Sequence, residues 1–168
     1  MSTSFSARAR WGADGLVELA ERLRVEGFQV LETGQENWLP QDVHAALRFE
    51  HDDRMARAVR YFPDLLAWRA DWPLAYWEAK TNATPNTPNF SIERACYDEM
   101  MARHAKGERV VIAFRDTDGM WRANWVERLE ISRDMTAERH AARGSHTPYL
   151  LLPKSCVRPL EMFLRLRA

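Results

Sequence analysis

Two short runs, FPDLLAW (62–68) and LAYWEAK (74–80), are rich in apolar and aromatic residues and are separated only by RADWP. Strand-like runs joined by so short and turn-prone a segment form a β-hairpin. If positions 68 and 74 pair at its mouth, position 64 lies opposite position 78. Directly opposed residues point to one face with Cβ atoms about 4.5–5.5 Å apart. The strand period of two then adds Lys80 to the face of Asp64 and Glu78. Leu65, Ala67, Ala75, Trp77 and Ala79 fall on the other face, and all are apolar. The hairpin is therefore expected to pack on its apolar side and to present Asp64, Glu78 and Lys80 on the other.

Carboxylates facing each other across two strands repel, which a purely structural hairpin has little reason to accept. A hard divalent cation such as Mg²⁺ removes the conflict, because it takes oxygen ligands at this spacing. The lysine is informative as well. Of 24 basic residues only Lys80, Lys106 and Lys154 are lysines. A compact ammonium can serve a reacting phosphate in ways that the forked, always-charged arginine cannot. The bland alternative is a surface Glu–Lys pair beside an unrelated Asp.

Along the rest of the chain, Leu16, Leu19, Ala20 and Leu23 form one face of a helix over about 13–26, ended by Gly27. Residues 28–31 read as a strand, closed by Thr33 and Gly34. Residues 35–60 carry mixed charge at helical spacing and read as a helix with a solvated face. After the hairpin, residues 81–89 form a polar loop with two prolines. Ser91 is then a suitable N-cap for a helix through about Lys106. RVVIAF (109–114) is an apolar run of the kind found in a buried central strand. A turn at 116–119 leads to a returning strand, MWRANWVERLEI. Residues 132–146 read as irregular or weakly helical, YLLLP (149–153) as a short strand and VRPLEMFLRL as a closing amphipathic helix. This order makes an α/β domain, a mixed β-sheet flanked by α-helices. One domain over 1–168, with 1–10 as a flexible arm, fits the length.

Bulk properties narrow the function. No apolar run reaches membrane-spanning length, and no hydrophobic segment follows the N-terminal arginines, so the expectation is a cytoplasmic protein with no membrane partner. Cys96 and Cys156 form no metal-ligand spacing and are expected as reduced, buried thiols. The five histidines show no zinc motif. The formal net charge is zero, so nucleic-acid binding would need a basic face and not a basic protein.

Pro63 and Asp64, thirteen residues, then Glu78-Ala79-Lys80 resembles the PD-(D/E)xK nuclease superfamily, which includes restriction endonucleases, Holliday junction resolvases and VRR-NUC domains. The preceding amphipathic helix and the helix-plus-strand that follows extend the likeness over about residues 12–131. The resemblance implies a restriction-endonuclease-like core and a Mg²⁺-dependent DNA endonuclease, with Mn²⁺ as a substitute. It implies Asp64, Glu78 and the Ala79 carbonyl as metal ligands, and Lys80 as the group that orients or activates water. One departure stands out. The Glu that many members carry on the first helix, four residues after a Gly, corresponds here to Leu16, while Glu18 and Glu21 lie on the opposite helical side. Glu93 could approach the site, but reads better as helix-surface charge. Candidate DNA contacts are Arg8 and Arg10 on the arm and Asn82, Thr84, Asn86, Thr87 and Asn89 on the loop after Lys80. The small chain favours a structure-selective or repair-type enzyme, and the resemblance to junction and restriction enzymes implies a homodimer. The rivals are a restriction- or mobile-element-type nuclease, an RNA substrate, and a nucleic-acid- or protein-binding module that kept the fold without the chemistry.

Overall fold

A computed structural model describes residues 5–34, 39, 40, 42, 43, 54–81, 87–135 and 148–166, with side chains from residue 13 onward. Helix α1 (Phe5–Val25) starts inside the segment expected as an arm. Its predicted apolar face is real, with Leu19, Ala20 and Leu23 fully buried. Gly27, at φ 85°, ends it: the Phe28 amide bonds back to the Leu23 carbonyl and the Gly27 amide to the Arg24 carbonyl. This left-handed cap satisfies carbonyls that the helix end would otherwise leave bare.

Strands β1 (Gln29–Glu32), β2 (Leu65–Arg69), β3 (Trp72–Thr81), β5 (Val110–Arg115), β6 (Trp121–Trp125) and β9 (Arg158–Pro159) form one sheet in the order β1-β2-β3-β5-β6-β9. Only β3 and β5 pair in parallel; the other neighbours are antiparallel. A second sheet, in the order β4-β8-β7, contains β4 (Asn89–Glu93), β8 (Tyr149–Pro153) and β7 (Arg133–Asp134). Helices α2 (Arg54–Arg60), α3 (Arg94–Ala105) and α4 (Leu160–Arg165) and two 3-10 turns (Val126–Arg128 and Lys154–Cys156) complete the described elements. None of the described helices is long and apolar enough to cross a membrane.

Alternation along the central strands divides the core in two. On one side Leu65, Ala67, Ala75, Trp77, Val111, Ala113 and Ala123 meet α1 and α4, with Trp72, Trp125 and Phe163 interlocked among them. The Trp72 and Trp125 rings stack at 4.9 Å and 15°, and Phe163 meets both edge-on. On the other side Val110, Ile112 and Phe114 meet Cys96 and Met100 of α3, and Phe90, Ile92, Leu150 and Leu152 of the second sheet. Gly15 sets how closely α1 approaches the sheet. A Cβ there would lie 2.6 Å from the Thr81 methyl, so only glycine lets the helix rest on the end of β3.

Other expectations change. The strand returning after the 116–119 turn ends at Trp125 and passes into a 3-10 turn over Val126–Arg128, and Arg133–Asp134, expected as irregular or weakly helical, pairs with β8. Ser91 does not cap a helix but lies inside β4, where Phe90 and Ile92 are buried on either side of it. The helix starts at Arg94 with Glu93 at its N-cap position. Of the helix expected over 35–60, residues 42, 43 and 54–60 are helical, and 35–38, 41 and 44–53 lie outside the described residues.

Candidate active site

Over residues 65–67 the hairpin register is the predicted one: Leu65 pairs with Trp77, Leu66 with Tyr76 and Ala67 with Ala75. The pairing expected at the mouth, 68 with 74, does not form: the register shifts after Ala67, Arg69 pairs with Trp72, and only residues 70 and 71 lie between the strands. Continued by one residue, the register at 65–67 sets Asp64 opposite Glu78. β2 begins just after Asp64, and the Asp64 carboxylate itself accepts the Ala79 amide at 2.8 Å. Behind it, the amides of Thr33 and Gly34 both donate to the Asp64 carbonyl, at 2.8 and 2.9 Å. The Thr33 hydroxyl donates to the Pro63 carbonyl at 2.7 Å. The turn leaving β1 thus clamps the Pro63–Asp64 step from its own side of the sheet.

Glu78 lies between Trp77 and Ala79 on β3 and pairs with Ile112 of β5. The face it shares with Lys80 was expected to be presented outward. It is instead roofed by α3 and the second sheet, and Glu78 is only 5% exposed. The Lys80 ammonium donates to Glu78 Oε1 at 2.5 Å, and the Cys96 thiol donates to the same oxygen at 3.3 Å. Glu78 Oε2 is buried and has no hydrogen-bond partner among the described residues. Burial works against the Lys80 ammonium, but the neighbouring Glu78 and Asp64 carboxylates outweigh it and raise its pKa well above the usual value. Burial, then the nearby Glu78 carboxylate, pushes the Cys96 thiol well up, so it stays protonated at neutral pH.

Sequence reasoning missed Cys96 as part of this site. It was expected as an inert buried thiol, and both cysteines are indeed free. Nothing in the local pattern marks it, since its contact with Glu78 depends on how α3 crosses the sheet. Glu93 was read as helix-surface charge. It is half-buried and turned inward, hydrogen-bonded to the Tyr61 hydroxyl, whose pKa burial and Glu93 together raise. Leu16 packs into the core on the α1 side of the sheet, so no carboxylate stands there. Glu18, on the same helix, is held by Arg22 at 3.1 Å and Arg115 at 2.8 Å.

A divalent cation is tested by the donor set. Among the described residues no three His, Cys, Asp or Glu side chains gather as a ready-made metal cluster. Mg²⁺ does not require one, because it keeps several waters and is commonly held by one or two carboxylates plus substrate phosphate. Two opposed carboxylates, one with a bare buried oxygen, fit that demand. Asn82, Thr84 and Asn86 lie outside the described residues, as do the side chains of Arg8 and Arg10, whose backbone lies in α1. Thr87 and Asn89 are used locally: the Thr87 hydroxyl donates to the Asn89 carbonyl at 2.6 Å, and Asn89 Oδ1 accepts from Ser132 at 3.4 Å.

No protein-family profile matches the chain, and no curated protein matches it in sequence. Among solved structures it is similar to Hjc of Archaeoglobus fulgidus, a Holliday junction resolvase from an archaeal hyperthermophile. The TM-score is 0.54 at 12% identity, over 90% of this chain and 93% of that one. The chain has a resolvase's fold. This bears out the expected α/β class, a restriction-endonuclease-like core with a mixed sheet between helices. At this identity the likeness speaks for the fold alone.

Proposed function

We propose that the chain is a metal-dependent DNA endonuclease of the PD-(D/E)xK superfamily, structure-selective and working in recombination or repair. The observation that carries this reading is Glu78: a buried carboxylate opposite Asp64, with one oxygen held by Lys80 and the other without a partner among the described residues. A protein gains no stability from half-satisfying a buried charge. The resolvase fold of the whole chain supports the same reading.

In this reading Asp64 and Glu78 would hold Mg²⁺, with Mn²⁺ able to replace it, and the Ala79 carbonyl would be a further ligand. Bound there, the ion would supply a water of lowered pKa and positive charge for the phosphoryl oxygens. The Ala79 amide and the β1 turn fix Asp64, so its carboxylate needs no reorganisation when substrate arrives. Lys80, an ammonium beside Glu78, orients the attacking water and steadies the phosphate oxygens. Arg8, Arg10, Asn82, Thr84 and Asn86 remain the candidate DNA contacts, and a homodimer would offer two such sites to a branched substrate. A second reading, a nucleic-acid-binding module without chemistry, draws on the close Lys80–Glu78 pair, which engages the catalytic ammonium within the protein.

The test is cleavage of a labelled panel of plasmid, linear duplex, single strand, flap and four-way junction, with an RNA strand alongside. Mg²⁺, Mn²⁺ and EDTA conditions are compared for wild type, Lys80→Ala and Asp64→Ala. Metal-dependent cutting that disappears in both variants is the expected result, with the branched substrates preferred. Wild type that binds these substrates without cutting, and variants that bind equally well, would establish the binding module instead.

A further inference from the structure

Glu78 Oε1 receives two donors and Oε2 none. A carboxylate turns readily about its last torsion, so such an asymmetry has to be imposed from outside. Lys80 does this poorly by itself, because its ammonium sits at the end of a flexible four-carbon stem. Cys96 is different. It lies in the first turn of α3, is fully buried, and its sulfur reaches Glu78 from a backbone locked by the helix. It belongs to a buried cluster with Phe90, Ile92, Met100 and Ile112, and the charged groups near it are Glu78, Lys80 and Glu93. Packing alone would be met there by any small apolar side chain. What the sulfur adds is an S–H donor aimed at one oxygen of a half-satisfied carboxylate.

We propose that Cys96 is a positioning residue that fixes Glu78 with Oε1 occupied and Oε2 kept for the metal ion. The proposal rests on the nuclease reading above and assigns the thiol a role in that site. Carboxylates that ligate metals are themselves commonly hydrogen-bonded, and loss of that support typically costs about 10–100-fold in metal affinity or activity.

The experiment is Mn²⁺ binding to the metal-free full-length protein, by titration calorimetry and by the spin-resonance signal of free Mn²⁺. Wild type is compared with Cys96→Ala, Cys96→Val, Cys96→Ser and Asp64→Asn, and thermal unfolding shows that each is folded. Cys96→Ala and Cys96→Val, which lack a donor, are expected to bind Mn²⁺ about tenfold more weakly or worse. Cys96→Ser keeps a donor and should stay within about threefold of wild type, even if it is the less stable protein. A packing role predicts the reverse order, with Val the best substitute and Ser no better than Ala. If wild type binds Mn²⁺ in an Asp64-dependent manner and the Ala and Val variants bind equally well, the role of Cys96 is overturned and the nuclease reading stands. If wild type binds no Mn²⁺, or Asp64→Asn binds as wild type does, the nuclease reading falls and the role of Cys96 with it. Should Cys96→Ala fail to fold, the Val and Ser pair decides.

Discussion

Two of the chain's three lysines pair with carboxylates buried to the same degree: Lys80 with Glu78 and Lys154 with Asp116, each acid 5% exposed. Asp116 lies where β5 leaves the large sheet, and Lys154 follows β8 of the small one. Lys154 donates to both Asp116 oxygens, at 2.8 and 2.6 Å. The Thr117 amide adds a third bond at 2.8 Å, and the Phe90 ring lies under the ammonium at 5.2 Å. Every oxygen of that acid is used, and the pair ties one sheet to the other. At Glu78 the donors crowd on Oε1 and Oε2 stays bare. Burial and charge are alike in the two places, so neither identifies a site. What separates them is whether the acid's hydrogen-bonding capacity is filled.

Substitution at the acids should separate the pairs most widely. Glu78→Gln is expected to lower metal-dependent cleavage by about 10²–10³-fold, while Asp116→Asn leaves the rate nearly unchanged once folding is confirmed. Equal losses in the two variants would erase the distinction. Stability should then run the other way. Lys154→Met strands a buried carboxylate and should cost about 2–3 kcal/mol in urea unfolding, somewhat less than a fully buried pair because the lysine is partly exposed. Adding Asp116→Asn to it should recover part of the loss, and failure to recover would show that the lysine's packing on Phe90 mattered more.

A smaller effect sharpens the comparison from the other side. At a Mn²⁺ concentration about ten times its Kd, wild type should gain about 1.4 kcal/mol of stability. Asp116→Asn should keep that gain and Asp64→Asn should lose it, as read by thermal shift. The least effect is in pH. Burial favours the protonated acid, but the bonds from Lys154 and Thr117 win and hold the Asp116 pKa below its ordinary value. A lowered folded pKa gives stability that is whole above the unfolded value, about 3.9, and is lost as pH falls through the folded one. Unfolding measured between pH 6 and 3 should therefore show a smaller acid-side decline in Asp116→Asn than in wild type. Identical slopes would mean that the pair adds nothing through charge.

Much of this was legible in the sequence because it depends on short-range rules. Two neighbouring runs of alternating side chains bury one apolar face only in one register, and the period of two sorts what lies on the other. This is why the pairs at 65–67 and the apolar face of β2 and β3 came out as predicted, with Asp64, Glu78 and Lys80 on the other face, while the shift between Ala67 and Arg69 that shortens the connection did not. The helix before Gly27 and the apolar β5 follow from equally local patterns. β4 was not legible. Its five residues alternate as a strand should, but its partner β8 lies some sixty residues away, and the prolines before it and Ser91 within it argued locally for a loop and a helix cap.

The sequence by itself determined which residues share a face: the side-chain period is a property of a short stretch of chain, and three side chains on one hairpin needed nothing else. Only the tertiary structure decided what that face meets. Packing α3 and the second sheet over it buried Glu78, set Cys96 against one of its oxygens, turned Glu93 toward Tyr61 and left the other Glu78 oxygen bare. These contacts join residues from separate elements, and side-chain periodicity within one element carries no information about the distance between two of them.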